Sequence, residues 1–277
     1  MRMLYELKDQ LSGRIIFIFE EAEELATGVH PMVNLLRNYE IDAIYGNHFA
    51  SFVEVGKVAV DPGPVMAAAS LIDLKVIGKG GHGSRPDLSA NPLFAGVDIV
   101  NSISTAWNNQ LDVEETVTLG LSQFNFGKQA NVIDDVAHIG RSIRYFNAAE
   151  GEKATELIKT IAENVAPLHK CHVEFSNRMG PVTLPLINDD ELAKMAQESV
   201  EELFPGHLMM DVNWFASETY SYYGELAPLV FSFVGIKDEK YGFGAEHHNE
   251  YFDMHDDALQ YGIGTMVNFT MNYLGNN

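Results

Sequence analysis

The sequence predicts an α/β protein built in two parts, and three observations carry the prediction. Apolar strands and amphipathic helices alternate over residues 1–68, the pattern of a parallel sheet covered by helices. The order then changes to β-α-β-β-α-β over residues 69–178, the signature of a ferredoxin-like α+β sandwich. From residue 179 the first rhythm returns. The simplest architecture is a discontinuous three-layer α/β/α domain, residues 1–68 and 179–277, interrupted by an inserted domain at 69–178.

Each element has its own reason. Met1–Leu11 is amphipathic and Gly13 stops it, so a helix is expected there. The apolar run within Arg14–Phe19 predicts a buried strand, about Glu24–Tyr39 a helix, and Asp42–Gly46 a second buried strand. Leu71–Ile77 alternates like a half-exposed strand, and Asn91–Trp107 has helical apolar spacing. Glu115–Phe126 and Val136–Phe146 read as strands, Glu150–Leu168 as a helix and His172–Ser176 as the last strand of the insertion. Asn188, with Glu191 three residues on, predicts a capped helix running to about Phe204. Leu229–Val234 is a buried strand and Asp256–Leu274 a closing helix.

Composition narrows the function. The chain has 277 residues, 46% of them apolar and 21% charged, which excludes disorder and coiled coil. Its 39 acidic and 18 basic residues give a net charge of −21, which disfavours nucleic acid and anionic membrane surfaces as partners. A single cysteine, Cys171, excludes an internal disulfide and a multi-cysteine zinc site and fits a cytoplasmic setting. The run Ile15–Phe19 is too short to span a bilayer.

Several segments could carry chemistry. Glu20, Glu21, Glu23 and Glu24 follow an apolar strand directly. They read either as an acidic first helical turn or as a cation site beyond a strand C-terminus, where one carboxylate binds a metal and its neighbour takes a proton from water. His48 is expected to end a buried strand, where it is a structural residue or a ligand. His247 and His248 are adjacent, so one of them enters a site. Glu24, His48 and one of that pair, drawn from three segments, supply the three N/O donors of a catalytic zinc-type centre, with a general-base carboxylate next door. Gly78–Gly83 satisfies G-x-G-x-x-G, but Arg85-Pro86 stands where a nucleotide-binding helix has to open; a loop presenting His82, or a plain tight turn, fits better. Arg144 can hold a carboxylate with two hydrogen bonds or simply balance the acidic surface. Met209, Met210, Trp214, Phe231 and Phe233 read as core.

These motifs together resemble the aminoacylase/carboxypeptidase metallopeptidases, in the branch of hippurate hydrolases and N-acyl-amino-acid amidohydrolases. Phe-Glu-Glu-Ala-Glu-Glu (19–24) resembles that family's Phe-Gln-Pro-Ala-Glu-Glu. Gly-Asn-His48, Gly-Lys-Gly-Gly-His82-Gly-Ser, Ala-Asn131-Val-Ile, Arg144 and His248-x-x-x-Phe252-Asp253 follow in family order. The resemblance implies an amide hydrolase with a two-metal centre, and a ferredoxin-like insertion that acts as lid and homodimer interface. It implies Glu23 as general base, and Glu24, His48 and His248 as ligands of Zn, Mn, Ni or Co. His82 is then the residue stabilising the tetrahedral oxyanion, and Asn131 and Arg144 hold the amide and carboxylate of a small N-acyl amino acid or peptide. Family members carry a Gly-His-x-x-His-type segment upstream of Arg14–Phe19, so the resemblance also implies an N-terminally incomplete site with at most one metal and a chain that is inactive alone. The alternative is a non-catalytic self-association or assembly module. Further departures are Asp134 in place of Pro, and Ser217-Glu218-Thr219-Tyr220 in place of the usual Glu-Asp-Phe stretch, which keeps Glu218 and loses the Asp.

Overall fold

The computed structural model describes residues 1–275. Its strands are β1 (Ile44–Glu54), β2 (Val58–Ala59), β3 (Gly63–Met66), β4 (Ala68–Ile77), β5 (Gly81–His82), β6 (Val117–Asn125), β7 (Val132–Ile133), β8 (Val136–Tyr145), β9 (His172–Phe175), β10 (Gly180–Pro181), β11 (Leu186–Asn188), β12 (Leu208–Met209) and β13 (Leu229–Lys237). Its α-helices are α1 (Arg2–Glu6), α2 (Val29–Leu36), α3 (Pro92–Gln110), α4 (Ala148–Val165), α5 (Asp190–Leu203) and α6 (Ala258–Leu274). The chain divides into two compact units. The first takes Met1–Met66, Leu186–Trp214 and the chain from Thr219 onward; the second takes Ala67–Pro185 and Phe215–Glu218.

The first unit is organised on a sheet of order β1-β13-β2-β12. β1 and β13 run parallel, with Ile44 opposite Leu229 and His48 opposite Phe233. β13 is buried along almost its whole length, as a central strand covered on both faces must be. Val200 of α5 and Phe269 of α6 pack on Val58, Val60 and Val230. Asn268 and Asn272 of α6 tie that helix to Ser199 of α5.

The second unit is an antiparallel sheet in which β6, β8, β4 and β9 are successive neighbours, the ferredoxin-like order. α3 and α4 cover one face: Ile99, Ile103, Ile158 and Ala162 close over Ile72, Leu74, Ile139 and Ile143. Both helices start on an asparagine whose side-chain oxygen accepts first-turn N–H groups, Asn91 for α3 and Asn147 for α4.

Five expectations are corrected. The Met1–Leu11 helix is only α1 followed by a 3₁₀ turn at Lys8–Gln10; no side chain caps it and it buries Leu4 alone. Arg14–Phe19 pairs with no strand among the described residues, and Phe19 is 74% exposed; an apolar run becomes a strand only where a neighbouring edge accepts its backbone. The helix expected over Glu24–Tyr39 is a 3₁₀ turn at Glu23–Leu25, a break, and then α2. His48 does not end its strand, because β1 continues to Glu54. The cap of α5 is Asp189, which receives the N–H groups of Glu191 and Leu192. Asn188 is instead buried in β11, where it clamps Asp61 O and both backbone groups of Phe231.

Candidate functional site

The acidic turn is held under backbone tension. Ala22 and Ala26 flank Glu23–Leu25 with φ of 52° and 51°. His248 has φ 61°, so three of the five described non-glycine residues in the left-handed region lie in these two segments. Such conformations cost of order 1–2 kcal/mol each and persist where surrounding contacts impose them. Gly28 is required for a different reason: a Cβ there would sit 1.7 Å from Glu21 O, where the chain folds back behind the turn.

The turn brings Glu24 to His248, Oε2 to Nε2 at 3.6 Å, with both side chains largely exposed. Two donors each ~2.1 Å from one tetrahedral ion stand roughly 3.4 Å apart, so this pair is spaced as two ligands of a shared cation are. His48 is turned differently. Its Nδ1–H donates to Phe49 O at 2.6 Å, which leaves the Nε2 lone pair free. A ring nitrogen tied to a backbone carbonyl, with the other left basic, is the usual arrangement of a metal-binding histidine. The donors therefore suit a divalent cation in kind. Among the described residues, however, no three His, Cys, Asp or Glu side chains stand together as a ready metal group.

His247 faces His48, ring centroids 5.3 Å apart, and its Nε2 accepts the N–H of Ser51. Trp214 closes on both rings, at 5.5 Å from His48 and 4.9 Å from His247, and Phe252 packs behind His247. Burial, then the neighbouring His48, pulls the His247 imidazole below its ordinary value. Trp214, read from sequence as core, is thus a wall of this cluster. Phe231 and Phe233 are core as expected, whereas Met209 and Met210 are exposed.

In the second unit β5 pairs with β7, with His82 opposite Val132, and Gly83 N donates to Asn131 O at 2.9 Å. His82 and Asn131 are therefore neighbours. His82 Nδ1 accepts from Ser84 N at 3.1 Å and from Ser84 Oγ at 2.7 Å, so the neutral ring carries its proton on Nε2. Arg144 lies on β8, and its Nη1 is buried without a hydrogen-bond partner. Desolvation lowers its basicity.

Sequence reasoning missed a network around the acidic turn. Glu20 accepts hydrogen bonds from Thr219 Oγ1 at 2.8 Å and Tyr223 OH at 2.7 Å. Glu23 Oε1 lies 3.4 Å from the same Thr219 oxygen and accepts Thr219 N–H at 3.5 Å. The available signal was the Ser217-Glu218-Thr219-Tyr220 stretch, where the chain departs from the family it resembles.

An α/β unit on a mixed sheet, with acidic residues and imidazoles in two of its loops, is joined in this chain to a ferredoxin-like unit. The model of Peptidase family M20/M25/M40 matches residues 1–272, and the chain belongs to this family. It is 27% identical to the IAA-amino acid hydrolase ILR1-like 2 of Arabidopsis thaliana, over 99% of this chain and 62% of that one. It is 25% identical to the hippurate hydrolase of Campylobacter jejuni, over 98% of this chain and 70% of that one. Its fold superposes with TM-score 0.81 on the Bacillus subtilis YXEP protein, described as a dinuclear metal binding peptidase of this family, at 22% identity over 98% of this chain and 68% of that one. The chain spans less than two thirds of the length of the IAA-amino acid hydrolase.

Proposed function

We propose that the chain belongs to a cytoplasmic metal-dependent amidohydrolase that cleaves the amide bond of N-acyl amino acids or small peptides. The observation that carries this reading is the Glu24–His248 pair at 3.6 Å beside Glu23. Glu24, His248 and His48, through its free Nε2, are the residues that would hold a divalent ion, Zn, Mn, Ni or Co, at most one in this chain. When bound, such an ion supplies Lewis acidity and makes a water acidic enough to attack at neutral pH. The Glu23 carboxylate accepts the proton of the attacking water and hands it to the departing amine, so that amide and water become acid and amine.

The second unit contributes by its own chemistry in this reading. The Nε2–H of His82 is the donor for an oxyanion. Asn131 and Arg144 hold the amide and carboxylate of the substrate, and the unit serves as lid and homodimer interface. The relatives' names, an IAA-amino acid hydrolase and a hippurate hydrolase, support a small acylated amino acid as substrate class. No helix among the described residues is long and apolar enough to cross a membrane.

The test is hydrolysis of hippurate-type substrates with added Mn²⁺, Zn²⁺, Ni²⁺ or Co²⁺. Turnover by the wild-type chain that is abolished in Glu23→Gln supports the reading; turnover unchanged in Glu23→Gln overturns it. One observation favours a second reading, in which the chain is a non-catalytic assembly module: β1 pairs on one side only, with β13, and its other edge carries no strand among the described residues. A wild-type chain that binds none of these ions and turns over none of these substrates, yet self-associates in analytical ultracentrifugation, would favour that reading.

A further inference from the structure

We propose that Thr219 is the positioning residue of Glu23, anchored in turn by Glu20. This rests on the reading of Glu23 as general base. Thr219 is 2% exposed and opens the 3₁₀ segment Thr219–Glu225. Its single hydroxyl proton is committed to Glu20 at 2.8 Å, and the other oxygen of Glu20 is taken by Tyr223, itself 3% exposed. With its side chain fixed, Thr219 donates its backbone N–H to Glu23 Oε1 at 3.5 Å. Two carboxylates of the acidic turn therefore converge on one buried residue. That contact fixes the direction of the Glu23 carboxylate, which otherwise sits on a short turn between two left-handed alanines.

An Asp at 219 in this chain would face Glu20 and Glu23 together, and three clustered carboxylates repel.

The test uses the full chain and four variants: Thr219→Val, which keeps shape and loses the hydroxyl; Thr219→Ser, which keeps the hydroxyl; Thr219→Asp; and Glu20→Gln/Thr219→Asp. Thermal unfolding of Thr219→Asp is expected at least ~5 °C below wild type. The double variant recovers most of that loss, and Thr219→Ser stays near wild type. The positioning contact is read separately by labelling threonine with ¹⁵N: Glu23→Gln is expected to move the Thr219 amide resonance. In hydrolysis, Thr219→Val is expected to lower kcat about tenfold with KM little changed, and Thr219→Ser to restore it. A Thr219→Asp variant as stable as wild type, a double variant no better than the single, or an unmoved Thr219 amide overturns the proposal. An inert wild-type chain counts against the hydrolase reading, while the unfolding and amide measurements still decide the contact.

Discussion

His48 in the first unit and His82 in the second are each fixed by a backbone group of a residue close in sequence, but to opposite tautomers. A carbonyl, Phe49 O, accepts a hydrogen bond from the Nδ1–H of His48, which leaves Nε2 as a lone pair. An amide, Ser84 N–H, occupies the Nδ1 lone pair of His82 and leaves Nε2 as a donor. The first is suited to bind a cation, the second to meet a developing negative charge. The same side chain acquires opposite chemistry from one neighbouring backbone group. The comparison extends to other polar groups. In the first unit Asn188 is buried and its side chain is bonded to Asp61 and Phe231. In the second, Arg141 is 2% exposed on β8 among the apolar side chains, and none of its three nitrogens has a hydrogen-bond partner.

Breaking the His82 side of the comparison is expected to have the largest effect. His82→Ala should lower kcat by about 10²–10³-fold, the range for losing one oxyanion donor. Ser84→Ala should cost far less, because the backbone N–H still selects the tautomer. Steady-state kinetics checks both.

Arg141 gives the next effect, with opposite sign. Burial pushes its guanidinium well below its ordinary value, down to about 10. A base with a depressed folded-state pKa costs stability wherever it is protonated, that is below about pH 10, and the cost fades only as pH rises from there toward the ordinary guanidinium value. The shift corresponds to about 3 kcal/mol at neutral pH. Arg141→Met should therefore raise the unfolding free energy by about that amount, equally at pH 6 and pH 8, in urea titrations.

Smaller changes test the strained turn and the polar sheet face. Ala26→Gly should stabilise by about 1 kcal/mol, because glycine adopts φ 51° without a Cβ clash. Asp73 accepts from His138 at 2.6 Å across β4 and β8, and that hydrogen bond holds its carboxyl below the usual range. Its contribution is complete above the ordinary carboxylate value and is lost as pH falls through the lowered one. Asp73→Asn should cost about 1 kcal/mol or less at pH 7, and the difference should close on acidification.

Much of the second unit was legible because its signals are local. Alternation placed β4, β6, β8 and β9, and helical spacing placed α3 and α4. The first unit was less legible where structure depends on distant partners. Arg14–Phe19 has strand composition and no edge to pair with among the described residues. The Glu24–Tyr39 helix is broken at Ala26, whose left-handed conformation the sequence gives no reason to expect. Asn188 and Asp189 are both good caps, and only the remote Asp61 and Phe231 decide which one serves. At the site, His48 and His248 were read from motif order, but the role of His247 as the partner of His48, and the meeting of Glu20 with Thr219, required the fold. His138 and His169 likewise find partners, Asp73 and Asp98, that lie far away in sequence.

The proposal that Glu24, His48 and His248 share one divalent cation is tested directly by calorimetric titration of Mn²⁺ or Zn²⁺ into the chain. One ion bound per chain, with affinity lost in Glu24→Gln, His48→Ala and His248→Ala and largely kept in His247→Phe, is the predicted result. Binding that persists undiminished in His48→Ala and His248→Ala would contradict it.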